Sequence, residues 1–236
     1  LNYIKEAFVQ FFIAVHTMLS TFIPDKGLSY GLAIILVTII IRIVLLPLTI
    51  KQTRSTLVMS EIQPEVKKLQ EKYKNDPQKS QEEMMKLYKE KGASPFSGCL
   101  PMLIQWPIFI ALYFVFSTMT GLQGVNFLGI DLGASNPVLA VLSGITTFVS
   151  GFFSMPTNNA DPAQARQTKI MNISMGFFMI YVSWKLKAAL VLYWIVNNLI
   201  QVTQTVIMKK MDKNIVKTKE AKHTKEITKT KKDSKS

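Results

Sequence analysis

Cysteine occurs once in this chain, at Cys99, which excludes an internal disulfide and a cysteine-based metal cluster. Histidine is almost as scarce, with only His16 and His223. No ATP- or GTP-binding motif is present, so any work the protein does draws on another source of free energy. No internal repeat relates one half of the chain to the other, which weakens the case for a transporter built from two related halves. Aspartate, glutamate and histidine are missing from all five long apolar stretches, residues 30–50, 100–119, 137–154, 170–184 and 188–208. An intramembrane protease needs a Ser/His pair, paired aspartates or a metal site inside such stretches, and that class is set aside. No catalytic residue, metal or cofactor is expected.

What is present is apolar. Hydrophobic residues make up 48% of the 236 positions and charged residues only 18%, the balance of a polytopic membrane protein with one compact domain. The net charge of +13 is concentrated after Met208, as befits a cytoplasmic face and not a nucleic-acid-binding fold. The pattern predicts an all-α membrane protein with five transmembrane helices. Residues 1–27 read as an extracytoplasmic amphipathic helix lying in the interface, because Gln10, His16, Thr17 and Ser20 interrupt its apolar stripe. The spans follow at 28–51, 96–120, 137–154, 170–184 and 187–208. Between them lie a cytoplasmic two-helix hairpin at 52–95, an extracytoplasmic loop at 121–136 and a cytoplasmic loop at 155–169. Residues 209–236 read as a basic, disordered cytoplasmic tail. The charged hairpin, Arg166, Lys169 and the tail share one side, so the positive-inside rule places the N-terminus outside and the C-terminus in the cytoplasm. Lys185 and Lys187 run against the rule.

Within the first span stands one permanent charge, Arg42, near the middle of a hydrocarbon layer ~30 Å thick. Arginine does not lose its proton, and this placement costs at least about 2.5 to 3.5 kcal/mol. Snorkelling to the headgroups is one way out, but the side chain covers only part of the distance. Pairing with an acid is closed, since the spans hold none. They offer instead neutral polar groups: Thr38 one turn before Arg42, Gln105 in the second span, and Trp194, Asn198, Gln201 and Thr205 along the fifth. Each alone is more often a helix-to-helix hydrogen bond than a binding group; together with an uncompensated arginine they fit better as the lining of a hydrated cavity. Pro47, Pro101 and Pro107 let helices bend around it.

In the charged segment, Met59, Ile62, Val66, Leu69 and Tyr73 form one narrow seam, which Met84, Leu87 and Tyr88 of a second helix extend. Asp76 and Pro77 start that second helix and Gly92 stops it, giving an antiparallel hairpin in water. A solvated helical linker is the alternative.

The runs YGLAIILVTIIIRIVLLPL, GASPFSGCLPMLIQWPIF, NFLGIDLG and LVLYWIVNN, in this order around the charged hairpin, closely resemble the YidC family of membrane protein insertases. The likeness is to the Gram-positive type and extends to the mitochondrial and chloroplast inner-membrane insertases. It implies a hydrophilic groove open to cytoplasm and lipid, lined by Arg42, Gln105 and Trp194, that receives the polar or acidic N-terminal part of a nascent, few-span membrane protein. It also implies a hairpin that recruits substrate, a basic tail that contacts the ribosome, and the Sec translocon and the signal-recognition receptor as partners in a bacterial cell membrane. A channel or anion transporter that uses Arg42 is the rival on residues alone.

Overall fold

The computed structural model describes residues 2–94, 100–154 and 162–233. In chain order these form helices α1 (Asn2–Phe22), α2 (Lys26–Val44), α3 (Leu46–Glu61), α4 (Gln63–Lys72), α5 (Pro77–Glu90) and α6 (Leu100–Thr118), then strands β1 (Asn126–Phe127) and β2 (Ile130–Asp131), then helices α7 (Pro137–Ser154), α8 (Pro162–Ser183) and α9 (Ala188–Asp233). Among the described residues three helices are long and apolar enough to cross a membrane: Lys26–Val44, Pro137–Ser154 and Ala188–Met211. The apolar parts of α1 and α6, Glu6–Phe22 and Leu103–Thr118, are shorter. Residues 95–99, the end of the expected hairpin and the start of the second expected span, and residues 155–161 of the expected loop 155–169 lie outside the described residues.

The main core is where α1, α2, α6 and α9 meet. Phe12, Ile34, Val37, Leu112, Phe116 and Tyr193 are all buried there, with the Phe12 and Phe116 rings edge to face at 5.3 Å. Asp25 starts α2 by accepting a hydrogen bond from the Leu28 N–H at 2.7 Å. Beside it His16 of α1 stacks on Tyr30 at 3.7 Å, and burial holds its imidazole below the ordinary histidine value. The short β hairpin turns through Leu128 and Gly129, both at positive φ, and rests on α2. Gly27 and Gly31, one turn apart, make room for it: a Cβ on Gly27 would overlap the Asn126 carbonyl, and one on Gly31 the Phe127 ring.

The first expected span does not run unbroken to residue 51. Pro47 has no N–H to give the Ile43 carbonyl, so α2 ends at Val44, Leu45 caps it, and α3 carries on across the expected boundary into the charged segment. Further on, Ile62, Val66 and Leu87 form a cluster of their own, separate from the main core, with Met59, Leu69 and Met84 packed against it. Asp76 caps α5 by accepting from the Lys79 N–H at 3.0 Å, and Lys91 pairs with Glu65 at 3.1 Å. Tyr73 leaves the expected seam. Its ring lies under the ammonium groups of Lys72 and Lys79, at 5.2 and 5.5 Å.

Helices α7 and α8 pack through small and polar residues. The Ser143 and Ser183 hydroxyls meet at 2.7 Å, and the Asn172 amide donates to the Phe148 carbonyl at 3.0 Å. Two lysines close helix ends: Lys187 Nζ donates to the Phe116 carbonyl of α6 at 2.8 Å, and Lys209 Nζ to the Phe153 carbonyl of α7 at 2.7 Å. The basic segment expected to be disordered after residue 208 is helical as far as Asp233, since extending a formed helix costs far less than nucleating one.

Candidate functional site

Arg42 stands in the last turn of α2, where the break before Pro47 leaves carbonyls without intrahelical donors; the negative end of the helix dipole offsets part of its charge. The side chain is buried and held by α9. Its Nε donates to Asn197 Oδ1 at 2.7 Å, and its Nη2 donates to the Asn197 backbone carbonyl at 2.9 Å and to Gln201 Oε1 at 3.3 Å. The chain of bonds goes on through Asn197 Nδ2, which donates to Gln105 Oε1 at 3.3 Å, and through Gln105 Nε2, which donates to the buried Tyr193 hydroxyl. Tyr193, Asn197 and Gln201 recur every four residues, so one face of α9 supplies most of the site and α6 adds Gln105.

Among the described residues every hydrogen-bond partner of Arg42 is neutral. The salt bridges among the described residues join Lys86 to Glu82 and Glu83, and Lys91 to Glu65, all in the α4–α5 region. Nη1 of Arg42 makes no hydrogen bond to a described residue, whereas Nε and Nη2 are both occupied. The guanidinium is therefore oriented by amides, is not neutralised by a carboxylate among the described residues, and presents two N–H groups that an incoming carboxylate can accept.

Of the residues expected from sequence, Arg42, Gln105 and Gln201 come together. Thr38 is buried but spends its hydroxyl on the Ile34 carbonyl of its own helix, at 2.6 Å. Trp194 and Asn198 lie on the neighbouring face of α9, toward α7. Trp194 Nε1 donates to Thr147 Oγ1 at 2.9 Å, and the Asn198 amide lies against Thr147 Oγ1 at 3.0 Å. The Trp194 ring also meets Phe109 of α6 edge to face at 5.6 Å. Asn197, the closest partner of Arg42, was not expected. Its signal was available in its position four residues before Gln201 and four after Tyr193.

Apolar helices built around an amide-held arginine define an α-helical membrane protein with a positively charged polar site. Residues 21–215 match the family described as 60Kd inner membrane protein. The chain belongs to that family, the YidC family of membrane protein insertases. Among its relatives, the membrane protein insertase YidC of Clostridium tetani is 49% identical over 222 residues, 94% of this chain and 100% of the relative. That of Clostridium acetobutylicum is 49% identical over 216 residues, 88% and 84% of the two chains. That of Clostridium perfringens is 46% identical over 209 residues, 86% and 88% of the two chains.

Proposed function

We propose that this chain inserts nascent membrane proteins into a bacterial cell membrane, with Arg42 receiving the polar or acidic N-terminal part of the substrate. The observation that carries this is the Arg42 guanidinium itself: buried and, among the described residues, held by neutral amides alone with Nη1 uncommitted. A carboxylate approaching it gains a charge-assisted hydrogen bond in surroundings of lower dielectric than water. Membership of the insertase family supports the same reading.

In this account α2, α6, α7, α8 and α9 are five spans, with the N-terminus outside and the C-terminus in the cytoplasm. A hydrated groove beside Arg42, Gln105 and Gln201 shortens the distance over which a polar tail must cross lipid, the costly step when unassisted. The substrate's apolar stretch then slides into the bilayer, driven by hydrophobic partitioning and aided by the membrane potential. The α4–α5 hairpin, with a core of its own, first meets the substrate at the cytoplasmic surface, and the basic end of α9 contacts the ribosome. The Sec translocon and the signal-recognition receptor act as partners.

A channel or anion transporter would use the same free donors on Arg42. Reconstitution in liposomes separates the two: an insertase integrates a short single-span protein with an acidic tail and passes no flux of small anions, and the opposite pair of results would make the protein a channel.

A further inference from the structure

Threonines inside these helices tend to one habit. Thr38, Thr49, Thr118, Thr146 and Thr205 each donate the side-chain hydroxyl to a carbonyl three or four residues earlier on their own helix. Thr147 of α7 departs from it. Its Oγ1 turns across to α9, where it accepts from Trp194 Nε1 at 2.9 Å and lies 3.0 Å from the Asn198 amide. With the carbonyl of that amide toward the pair, Oδ1 accepts from the Thr147 hydroxyl at 3.0 Å and from Trp194 Nε1 at 3.1 Å, so both donors are matched. Asn198 thus draws the hydroxyl proton to itself and leaves the Thr147 oxygen facing the indole.

An indole N–H among packed helices needs an acceptor, and Asn198, one turn further along α9, would meet that need within a single helix. Thr147 adds a tie from α9 to α7. The same ring meets Phe109 of α6 edge to face at 5.6 Å. Trp194 therefore bridges two helices whose main packing lies elsewhere, α7 on α8 and α9, and α6 on α1. The ring is half-buried, so part of it is open to an incoming chain. It stands three residues before Asn197, the residue that holds Arg42.

We propose that Thr147 is a positioning residue: it fixes the Trp194 indole between α6 and α7 as a preset apolar contact for the substrate's membrane-spanning stretch. The inference rests on the reading of this chain as an insertase. A ring already immobilised gives up less freedom when a partner packs on it, so the hold strengthens the contact without touching the substrate itself. Arg42 then reads the charge of the tail and Trp194 the apolar stretch behind it. Thr147 acts on every substrate, whatever its tail.

The full-length protein in proteoliposomes tests this with two single-span substrates that share one apolar stretch, one with an acidic N-terminal tail and one with an uncharged tail. Thr147→Val, nearly the same shape without the hydroxyl, should insert both about fivefold more slowly, the effect of losing one neutral hydrogen bond. Thr147→Ser, which keeps the oxygen, should recover most of that rate. Trp194→Phe keeps a ring but has no N–H, and adding Thr147→Val to it should slow insertion no further. A second arm reads the ring directly: Trp106→Phe and Trp184→Phe leave Trp194 as the one tryptophan, and the substrate carries a nitroxide quencher in its apolar stretch. Trp194 emission should be quenched, and quenched less when Thr147→Val is added.

Normal insertion of both substrates by Thr147→Val would overturn the proposal. Slowing confined to the acidic tail would also overturn it, because Thr147 would then serve Arg42. So would slowing that adds to that of Trp194→Phe, or a lower melting temperature with unchanged quenching, either of which would make Thr147 a packing contact. Should Thr147→Val fail to assemble, Asn198→Leu, which frees the Thr147 hydroxyl to turn back on its own helix, takes its place in the same comparisons, and unchanged quenching there would reject the proposal. Failure of the Arg42 reading is distinct: it would show as normal insertion of acidic tails by Arg42→Ala.

Discussion

Arg42 and Asn197 are joined twice, through Nε to the side-chain oxygen at 2.7 Å and through Nη2 to the backbone carbonyl at 2.9 Å. The arginine of the first apolar helix is thereby fixed to the last one by an uncharged residue. A carboxylate in place of the amide would hold it equally well but cancel the charge; the amide orients without neutralising.

Asn197→Asp follows directly. The new carboxylate should pair with Arg42, keep or raise the melting temperature, and lower insertion of acidic-tailed substrates by about tenfold, with uncharged tails less affected. Asn197→Leu should leave the Arg42 Nε–H without its acceptor and destabilise the protein by about 1–3 kcal/mol, read from thermal unfolding in detergent.

The helix-to-helix contact of α7 with α8 depends on closeness. A Cβ on Gly144 would meet Ile180 and, at 2.7 Å, the Gly176 carbonyl, which is backbone and cannot swing away. Gly144→Ala should cost about 1–3 kcal/mol, seen as a melting temperature lower by several degrees, while the Arg42 network stays intact.

Much of this arrangement is legible in the sequence, and the misses share a physical cause. Arg42 announces itself as the lone charge in an apolar run, and Asp76, Pro77 and Gly92 mark the ends of α5 through their local backbone preferences. Which neighbour Arg42 touches depends on the rotation of α9 about its axis, where one residue is about 100°. A stripe drawn through Trp194 and Asn198 therefore points to α7, while the stripe one residue earlier, through Tyr193 and Asn197, points to Arg42. The end of α2 at Val44 was written in Pro47, but hydropathy runs straight through it. Likewise the two-residue turn at Leu128 and Gly129 needs positive φ at a leucine, which composition does not foretell.

His16 provides a pH-dependent contact between α1 and α2. Burial lowers its pKa, so the proton binds more readily when α1 is released. The contribution of the His16–Tyr30 stack is thus complete above about pH 6.5, the ordinary histidine value, and is lost as the pH falls below it through the lowered value of the folded protein. Hydrogen exchange in α1 should rise on acidification from pH 7.5 to about 5.5, and His16→Phe should remove the effect. Equal exchange at both pH values would discount the histidine.

The basic end of α9 should bind an acidic surface by charge. Truncation after Asp212 should weaken ribosome co-sedimentation several-fold at low salt, and the difference should shrink as salt is raised. Thermal unfolding of the truncated protein should match that of the full chain.

Arg42 itself carries the central claim, and the insertion rate of Arg42→Ala in proteoliposomes, compared for acidic and uncharged tails of otherwise identical single-span substrates, tests it most directly. The variant should lose insertion of the acidic tail by at least about tenfold and spare the uncharged one, while Arg42→Lys, which keeps the charge but not the two-point hold on Asn197, should recover part of the acidic-tail activity. Insertion of the acidic tail by Arg42→Ala at the wild-type rate would contradict the account.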